Sequence, residues 1–379
     1  MPTLLDWLAT DALPLWWRQG ADHEVGGFHE SLGEDGKPAG QNRRARVIGR
    51  QIYVYATAAE AGLPGPWREA AAHGLSFMTA RFLRPDGLIR ASLTPAGDPL
   101  DDSVILYDQA FCLFALAAAA GIGLEVEARV RAAERLHDRL LADWRNPAGG
   151  FVERDAHPYQ ANAHMHLFEA SLAWEAVLAG DPRARRWTDQ ADAIGTLALA
   201  RFIDPATGAL REFFDDQWHP AAGADGQLVE PGHLFEWAWL LMRWARLRGR
   251  EDAALAARRM HRLGVAHGID PVRGVAIDAI STDLTVVSDR ARLWPQTERI
   301  KASAILGQYA QTEAEREACA DDVAAAVKGL WLYLQTPVRG SWRDKLKADG
   351  TFVEEPAPAS SLYHIACAIL DARARGFPV

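Results

Sequence analysis

The chain has 379 residues, 49% of them hydrophobic, and a formal net charge of −9 at pH 7. That length suits two average domains or one large single-domain barrel, and the apolar content can fill a sizeable core. A mildly acidic chain without a basic tail argues against nucleic acid as the main partner, since phosphate binding needs clustered Lys and Arg, and no apolar run is long enough to span a bilayer.

The opening stretch MPTLLDWLATDALPLWW has no basic n-region and no uninterrupted apolar h-region. It reads as an amphipathic helix over about 3–20 and not as a signal peptide. Cys112, Cys319 and Cys367 are odd in number, scattered and in no paired motif. No disulfide framework is expected, and the expected location is a reducing cytoplasm. Of the 14 tryptophans, some belong in a core and others can serve as platforms for a sugar ring.

A Gly-centred turn recurs along the chain. It stands at Glu24–Phe28, Pro85–Leu88, Asn146–Phe151, Asp204–Gly208, Asp270–Gly274 and Val338–Gly340, spaced by roughly 60 residues. Asp and Pro start such turns, and Gly supplies positive φ at their ends. Between successive turns lie two helical patterns: about 45–61 and 67–83, 102–120 and 124–143, 162–180 and 183–202, 231–248 and 250–267, 290–308 and 313–335. A last helix at about 359–374 pairs with the N-terminal one. The first helix of each pair is the more apolar and the second carries more charge, which places the first inside and the second outside. The twelve helices in six pairs predict an all-α (α/α)6 barrel of six inner and six outer helices, a single domain over 1–379. An open solenoid is the alternative, and the pairing of the chain's two ends argues for closure.

The first turns of the inner helices carry polar residues out of place in a core. They are Arg50, Asp108 and Gln109, then Asn162, His164 and His166, His233 and Glu236, Trp294, Gln296 and Glu298, and Tyr363 and His364. Inner helices of such a barrel run parallel, so these residues are expected to meet at one mouth. The stretch EPGHLFEWAWLLMRW is the most pointed: Pro231 suits a helix start, and His233 and Glu236, three apart, share a face. Each residue alone also reads as a cap or a satisfied core group; it is the recurrence at one end of six helices that points to chemistry. A metal site is one rival, but His164 and His166 do not share a helix face and no HExxH or Cys pair supports zinc. A two-carboxylate glycosidase is another, although the mouth is richer in histidine than that reaction needs. Histidine suits proton transfer near neutral pH. Arg43, Arg44 and Arg46 read as a solvated basic run or as a place for a phosphate.

Together the segments DHEVGGF, LGEDG, GRQIY, NAHMHLFEA, EPGHLFEWAWLL, LWPQTERIKA and LYHIACA resemble the N-acylglucosamine 2-epimerase superfamily, which also contains cellobiose 2-epimerases and mannose and sulfoquinovose isomerases. The resemblance covers nearly the whole chain and implies an (α/α)6 barrel. It implies aldose–ketose isomerisation or C2 epimerisation by proton transfer, with no metal and no cofactor. By residue match, His364 is the expected general acid/base and His233 its partner in ring opening. Arg50 would stabilise the enediolate, while Glu236 and Glu298 would orient the histidines or hold hydroxyls. Trp239 and Trp294 would line the sugar pocket, and His166, Asn162, Asp108 and Gln296 would contact substrate. The short, Trp-free segment after His364 resembles mannose-isomerase-type members. D-mannose to D-fructose isomerisation is therefore the expected reaction, with a 2-epimerase on mannose or an N-acylated sugar as the alternative. A protein-binding scaffold is the non-enzymatic alternative. The expected partner is a monosaccharide, with neither nucleic acid nor membrane, and family habit suggests a homodimer.

Overall fold

The computed structural model describes residues 3–379. Helix α1 (Leu4–Trp7) starts on Thr3, whose hydroxyl accepts the Asp6 N–H at 3.0 Å while the Asp6 carboxylate accepts the Thr3 N–H at 3.2 Å, a reciprocal cap. A wide π turn, Leu8–Ala12, leads into α2 (Leu13–Leu15), and a second, Trp16–Gly20, closes the segment. The regular helix expected over about 3–20 is broken this way because Pro14 has no N–H to donate to the ladder. The helices that follow are α3 (Ala45–Glu60), α4 (Trp67–Phe77), α5 (Leu106–Gly121), α6 (Val126–Asp143), α7 (Ala161–Val177), α8 (Ala184–Leu197), α9 (Pro231–Arg248), α10 (Glu251–His267), α11 (Leu293–Gln308), α12 (Glu313–Leu334) and α13 (Ser360–Ala374). The helices expected from about 102 and 290 begin later than predicted. Ala291–Arg292 pair with Lys345–Leu346, so that backbone is spent on a short strand ladder, while Pro99–Asp101 pair with Ser92–Leu93 and four residues separate that strand from the start of α5 at Leu106.

The chain packs as two units, both discontinuous in sequence. The first comprises Ala12–Leu197 and Pro358–Tyr363. In it α3 and α7 both pack on α5, with α4 against α3, α6 against α5 and α8 against α7. Helix α5, LYDQAFCLFALAAAAG, is buried almost throughout, and its run of alanines lets both neighbours approach. Helix α6 buries only one stripe, Val130, Ala133, Leu136, His137 and Leu140 with Arg129 beside it, and turns its other charges outward. The second unit comprises the N-terminal segment through Asp11, Ala198–Ala357 and His364–Val379. Here α9 packs on α11, with α10 against α9 and α12 against α11. The two chain ends meet in this unit, where the Leu5 N–H donates to the Val379 carbonyl at 3.4 Å. No helix among the described residues is long and apolar enough to cross a membrane.

The recurring Gly turn is one structure repeated. Asp204 accepts the N–H groups of Ala206 and Thr207 at 3.1 and 2.8 Å, and Asp270 those of Val272 and Arg273 at 2.8 and 2.9 Å. Gly208 and Gly274 close the two turns at φ 82° and 70°, a region few other residues enter. The chain then forms a one-residue bridge back, Leu210 to Ile203 and Ala276 to Ile269. The fourth residue of a following inner helix clamps the bridge residue. Gln296 takes both the N–H and the carbonyl of Ala276, at 2.7 and 2.9 Å. In the first unit Gln109 does the same to Ile89, at 2.9 Å each, and His164 Nε2 accepts the Phe151 N–H at 2.9 Å. This clamp fixes where α5, α7 and α11 begin relative to their turns.

Candidate active site

The second unit carries two histidines, each tied to its own buried acid. Helix α9 starts at Pro231, and Gly232 follows. A Cβ on Gly232 would overlap the Trp294 ring, so only glycine allows Trp294 of α11 to lie across the start of α9. Next comes His233, whose Nδ1–H donates to Glu212 Oε2 at 2.9 Å. His364 of α13 donates from Nδ1 to Glu298 Oε1 at 2.8 Å. The Trp294 ring centroid is 5.0 Å from the His233 ring and 5.6 Å from the His364 ring. Both imidazoles therefore pack on one tryptophan, and both are buried. A carboxylate on Nδ1 fixes the tautomer and turns Nε2 toward chemistry. Burial pushes the His233 pKa down, but the carboxylates of Glu212 and Glu230 outweigh it and raise it to about 9, so His233 is an imidazolium at neutral pH.

Glu236, one turn beyond His233, is buried in the same place. Ligand-type atoms of Glu236, Glu298 and His364 all lie within 4.8 Å of one another. These three are of the types that could hold a cation, but the Lys301 ammonium already stands 2.6 Å from Glu298 Oε2, which works against a second positive charge there.

The first unit carries a different cluster. Arg50 of α3 donates from Nη2 to the Tyr107 hydroxyl at 2.6 Å. Its guanidinium lies 4.3 Å from the centroid of Phe111 and 5.3 Å from that of Tyr363. His166 of α7 packs on Phe111 and Tyr107, with ring centroids 4.4 and 4.9 Å apart. Its Nδ1 faces Glu169 Oε2 at 3.4 Å, and the Tyr363 hydroxyl donates to that oxygen at 2.5 Å. Asn162, a turn before His166, has a side-chain oxygen with no hydrogen-bond partner among the described residues.

Three expected substrate contacts, Gln296, Asp108 and Trp239, and a further polar residue at a helix start, His164, are held by other groups of the protein. Gln296 spends its amide on the backbone of Ala276 and Arg292. Asp108 is fully buried against Arg46, with Nε to Oδ1 at 2.7 Å. Trp239 is covered by two cations, Lys301 Nζ at 3.9 Å and Arg243 at 4.5 Å from its ring centroid. His164 is a clamp; burial lowers its pKa to about 4, so it stays neutral, accepting from Phe151 and donating to the Gln160 carbonyl at 2.8 Å.

Glu212 escaped the sequence reading, and the repeat could have found it. An acid stands two residues after the bridge residue in four of the turns: Glu30 after Phe28, Glu153 after Phe151, Glu212 after Leu210 and Asp278 after Ala276. The three glutamates each accept a backbone N–H at an inner-helix start, from Arg44, Leu106 and Glu230 at 2.5, 2.7 and 3.4 Å. Glu212 uses its second oxygen for a histidine. Glu169 had a plainer signal, since His166-x-x-Glu169 has the spacing of His233-x-x-Glu236.

Two histidine–carboxylate dyads thus stand together on an all-α scaffold. The family model described as N-acylglucosamine 2-epimerase (GlcNAc 2-epimerase) matches residues 26–368, and the chain belongs to that family. Over 375 residues it is 46% identical to a protein of Rhizobium meliloti (strain 1021) named mannose-6-phosphate isomerase, covering 97% of this chain and 95% of that one. It is 31% identical over 362 residues to a D-mannose isomerase of Thermobifida fusca, covering 86% of each. Among solved structures, the cellobiose 2-epimerase of Bacillus thermoamylovorans B4167 superposes with a TM-score of 0.85 at 17% identity, over 97% of both chains. The shared fold is the (α/α)6 barrel, as the helix count predicted, and the protein is an isomerase or epimerase.

Proposed function

We propose that the protein interconverts D-mannose and D-fructose through an enediol. The observation that carries this reading is the pair of dyads, His364–Glu298 and His233–Glu212, both histidines packing on Trp294. Isomerisation needs a base for the C2 proton and an acid for the carbonyl oxygen. His364 Nε2 takes the proton from C2 as the C1–O1 carbonyl becomes an enediolate, and the His233 imidazolium protonates O1. In the second half His233, now neutral, takes the O2 proton as the C2–O2 carbonyl forms, and His364 returns its proton to C1. The C2–H bond is broken and a C1–H bond is formed, with no net gain or loss of protons. Ring opening uses the same group, which gives its proton to the ring oxygen and takes up that of the anomeric hydroxyl. Each positioned acid or base contributes on the order of 10²–10⁴-fold. The partly exposed Trp294 beside the two imidazoles offers its face to the sugar's C–H groups.

The name of the Rhizobium relative favours a second reading, with mannose 6-phosphate as substrate. The basic run does not support it. Arg43 is buried and bonded to Asp22, Arg44 pairs with Glu30 at 2.8 Å, and Arg46 pairs with Asp108 at 2.7 Å. Each charge is answered within the fold, which leaves the run poorly suited to a dianion. Turnover of D-mannose and D-mannose 6-phosphate measured side by side decides between them. A higher kcat/KM for the free sugar is expected, and a higher value for the phosphate would overturn the choice of substrate.

A further inference from the structure

Lys301 is a buried charge that this chemistry does not use. Its side chain and that of Glu298 are both fully buried, and Nζ lies 2.6 Å from Glu298 Oε2. The two stand three apart on α11, so the helix itself sets the pair. The other oxygen of Glu298 accepts the Nδ1–H of His364 at 2.8 Å. An ammonium, a carboxylate and an imidazole thus stand in one line of contacts. Trp239 holds the ammonium from α9 with its ring face at 3.9 Å, and its own N–H donates to Asp371 of α13 at 3.2 Å.

A buried ion pair is a poor way to stabilise a core, because apolar side chains of the same volume fill the space without desolvating two charges. Glu298 also has a second acid beside it, since Glu236, Glu298 and His364 bring their ligand-type atoms within 4.8 Å of one another. A buried carboxyl next to another is driven toward its protonated form unless a cation answers it. Protonated, Glu298 would donate to His364 Nδ1 instead of accepting from it. The ring proton would then sit on Nε2, the nitrogen required as base.

We infer that Lys301 is a positioning residue that keeps Glu298 a carboxylate, so that neutral His364 carries its proton on Nδ1 and presents Nε2 as the base. Its consequence for turnover rests on the reading of His364 as the base of the proposed reaction; its consequence for the ring tautomer does not. The test uses protein labelled with ¹⁵N-histidine and long-range ¹H–¹⁵N correlation at a pH where the ring is neutral. The His364 signals are assigned by their loss in His364→Ala. In the native protein Nδ1 is expected protonated and Nε2 not. Lys301→Met, which keeps the length and removes the charge, is expected to reverse the tautomer and lower kcat by about 10²-fold or more with little change in KM. Lys301→Arg is expected to restore both. Should Lys301→Met fail to fold, Lys301→Gln reads out the same two quantities. A native His364 protonated on Nε2, or an uncharged variant with native tautomer and native kcat, overturns the inference. If His364→Ala retains full turnover, the base assignment falls while the tautomer still decides the role of Lys301.

Discussion

Replacing Glu212 by Gln removes the charge that does most to keep His233 an imidazolium. Burial alone would push this imidazole below its ordinary 6.5, yet Glu212, helped by Glu230, holds it at about 9. The difference corresponds to about 3 kcal/mol in favour of the imidazolium. The amide of the variant still offers an oxygen to Nδ1, so the ring keeps its place. Glu230 and Glu236 remain, but the Glu230 carboxylate is shared with Arg292 at 2.9 Å and Glu236 contributes least, so burial then prevails. The expected pKa returns to about 6.5 or lower. At pH 8 the protonated fraction falls from about nine-tenths to about three-hundredths, so kcat/KM drops about 30-fold, with much smaller loss near pH 6. The assay is the pH profile of kcat/KM, whose alkaline limb is expected near 9 in the native enzyme and below neutrality in Glu212→Gln. Stability follows the same sign. A raised histidine stabilises the fold fully below its unfolded value of 6.5, and that contribution is lost as pH rises through about 9. Thermal melts of the native protein should therefore fall across this window more than those of the variant. An unchanged alkaline limb in Glu212→Gln refutes the assignment of His233 as the acid.

His364→Ala is expected to lose about 10²–10⁴-fold in turnover with its helical circular dichroism intact; retained turnover would leave a scaffold or another base. In Gly232→Ala the new methyl collides with the Trp294 ring, so Trp294 must move. The expected cost is about 1–3 kcal/mol, read as a lower melting temperature, together with a fall in kcat. Gln296→Leu strips both clamp bonds from Ala276 and is expected to destabilise by about 1–3 kcal/mol while leaving KM near its native value; a selective rise in KM would return Gln296 to the substrate. Treatment with EDTA is expected to leave turnover unchanged, because Lys301 supplies the positive charge at Glu298. Loss of activity restored by a divalent ion would make Glu236, Glu298 and His364 metal ligands.

The helices were legible because their apolar period and Gly turns repeat, and a repeated signal corrects its own local noise. His233 and Glu236 could be placed on one helix face because helical spacing fixes the direction of a side chain, whereas the contact of His364 with Glu298 joins two helices and no spacing in the sequence states it. Glu212 was not, since it lies in a loop, where nothing in local sequence fixes the direction of a side chain. Lys301 was hidden for a related reason: a lysine on a helix reads as surface, and only its coverage by Trp239 shows that it is core. The cations on Trp239 were hidden too, because an apolar face says that a ring is packed and not what packs on it. Gln296 and His164 point back to the preceding turn, a direction set by where the helix begins. That start was predicted a few residues early for α11, because the strand pairing of Ala291–Arg292 is long-range.

The most direct test of the proposed proton transfer is to incubate the protein with D-mannose in D₂O and follow the products by NMR. The account predicts fructose carrying deuterium at C1. Glucose with deuterium at C2 and little fructose would contradict it and make the protein a 2-epimerase.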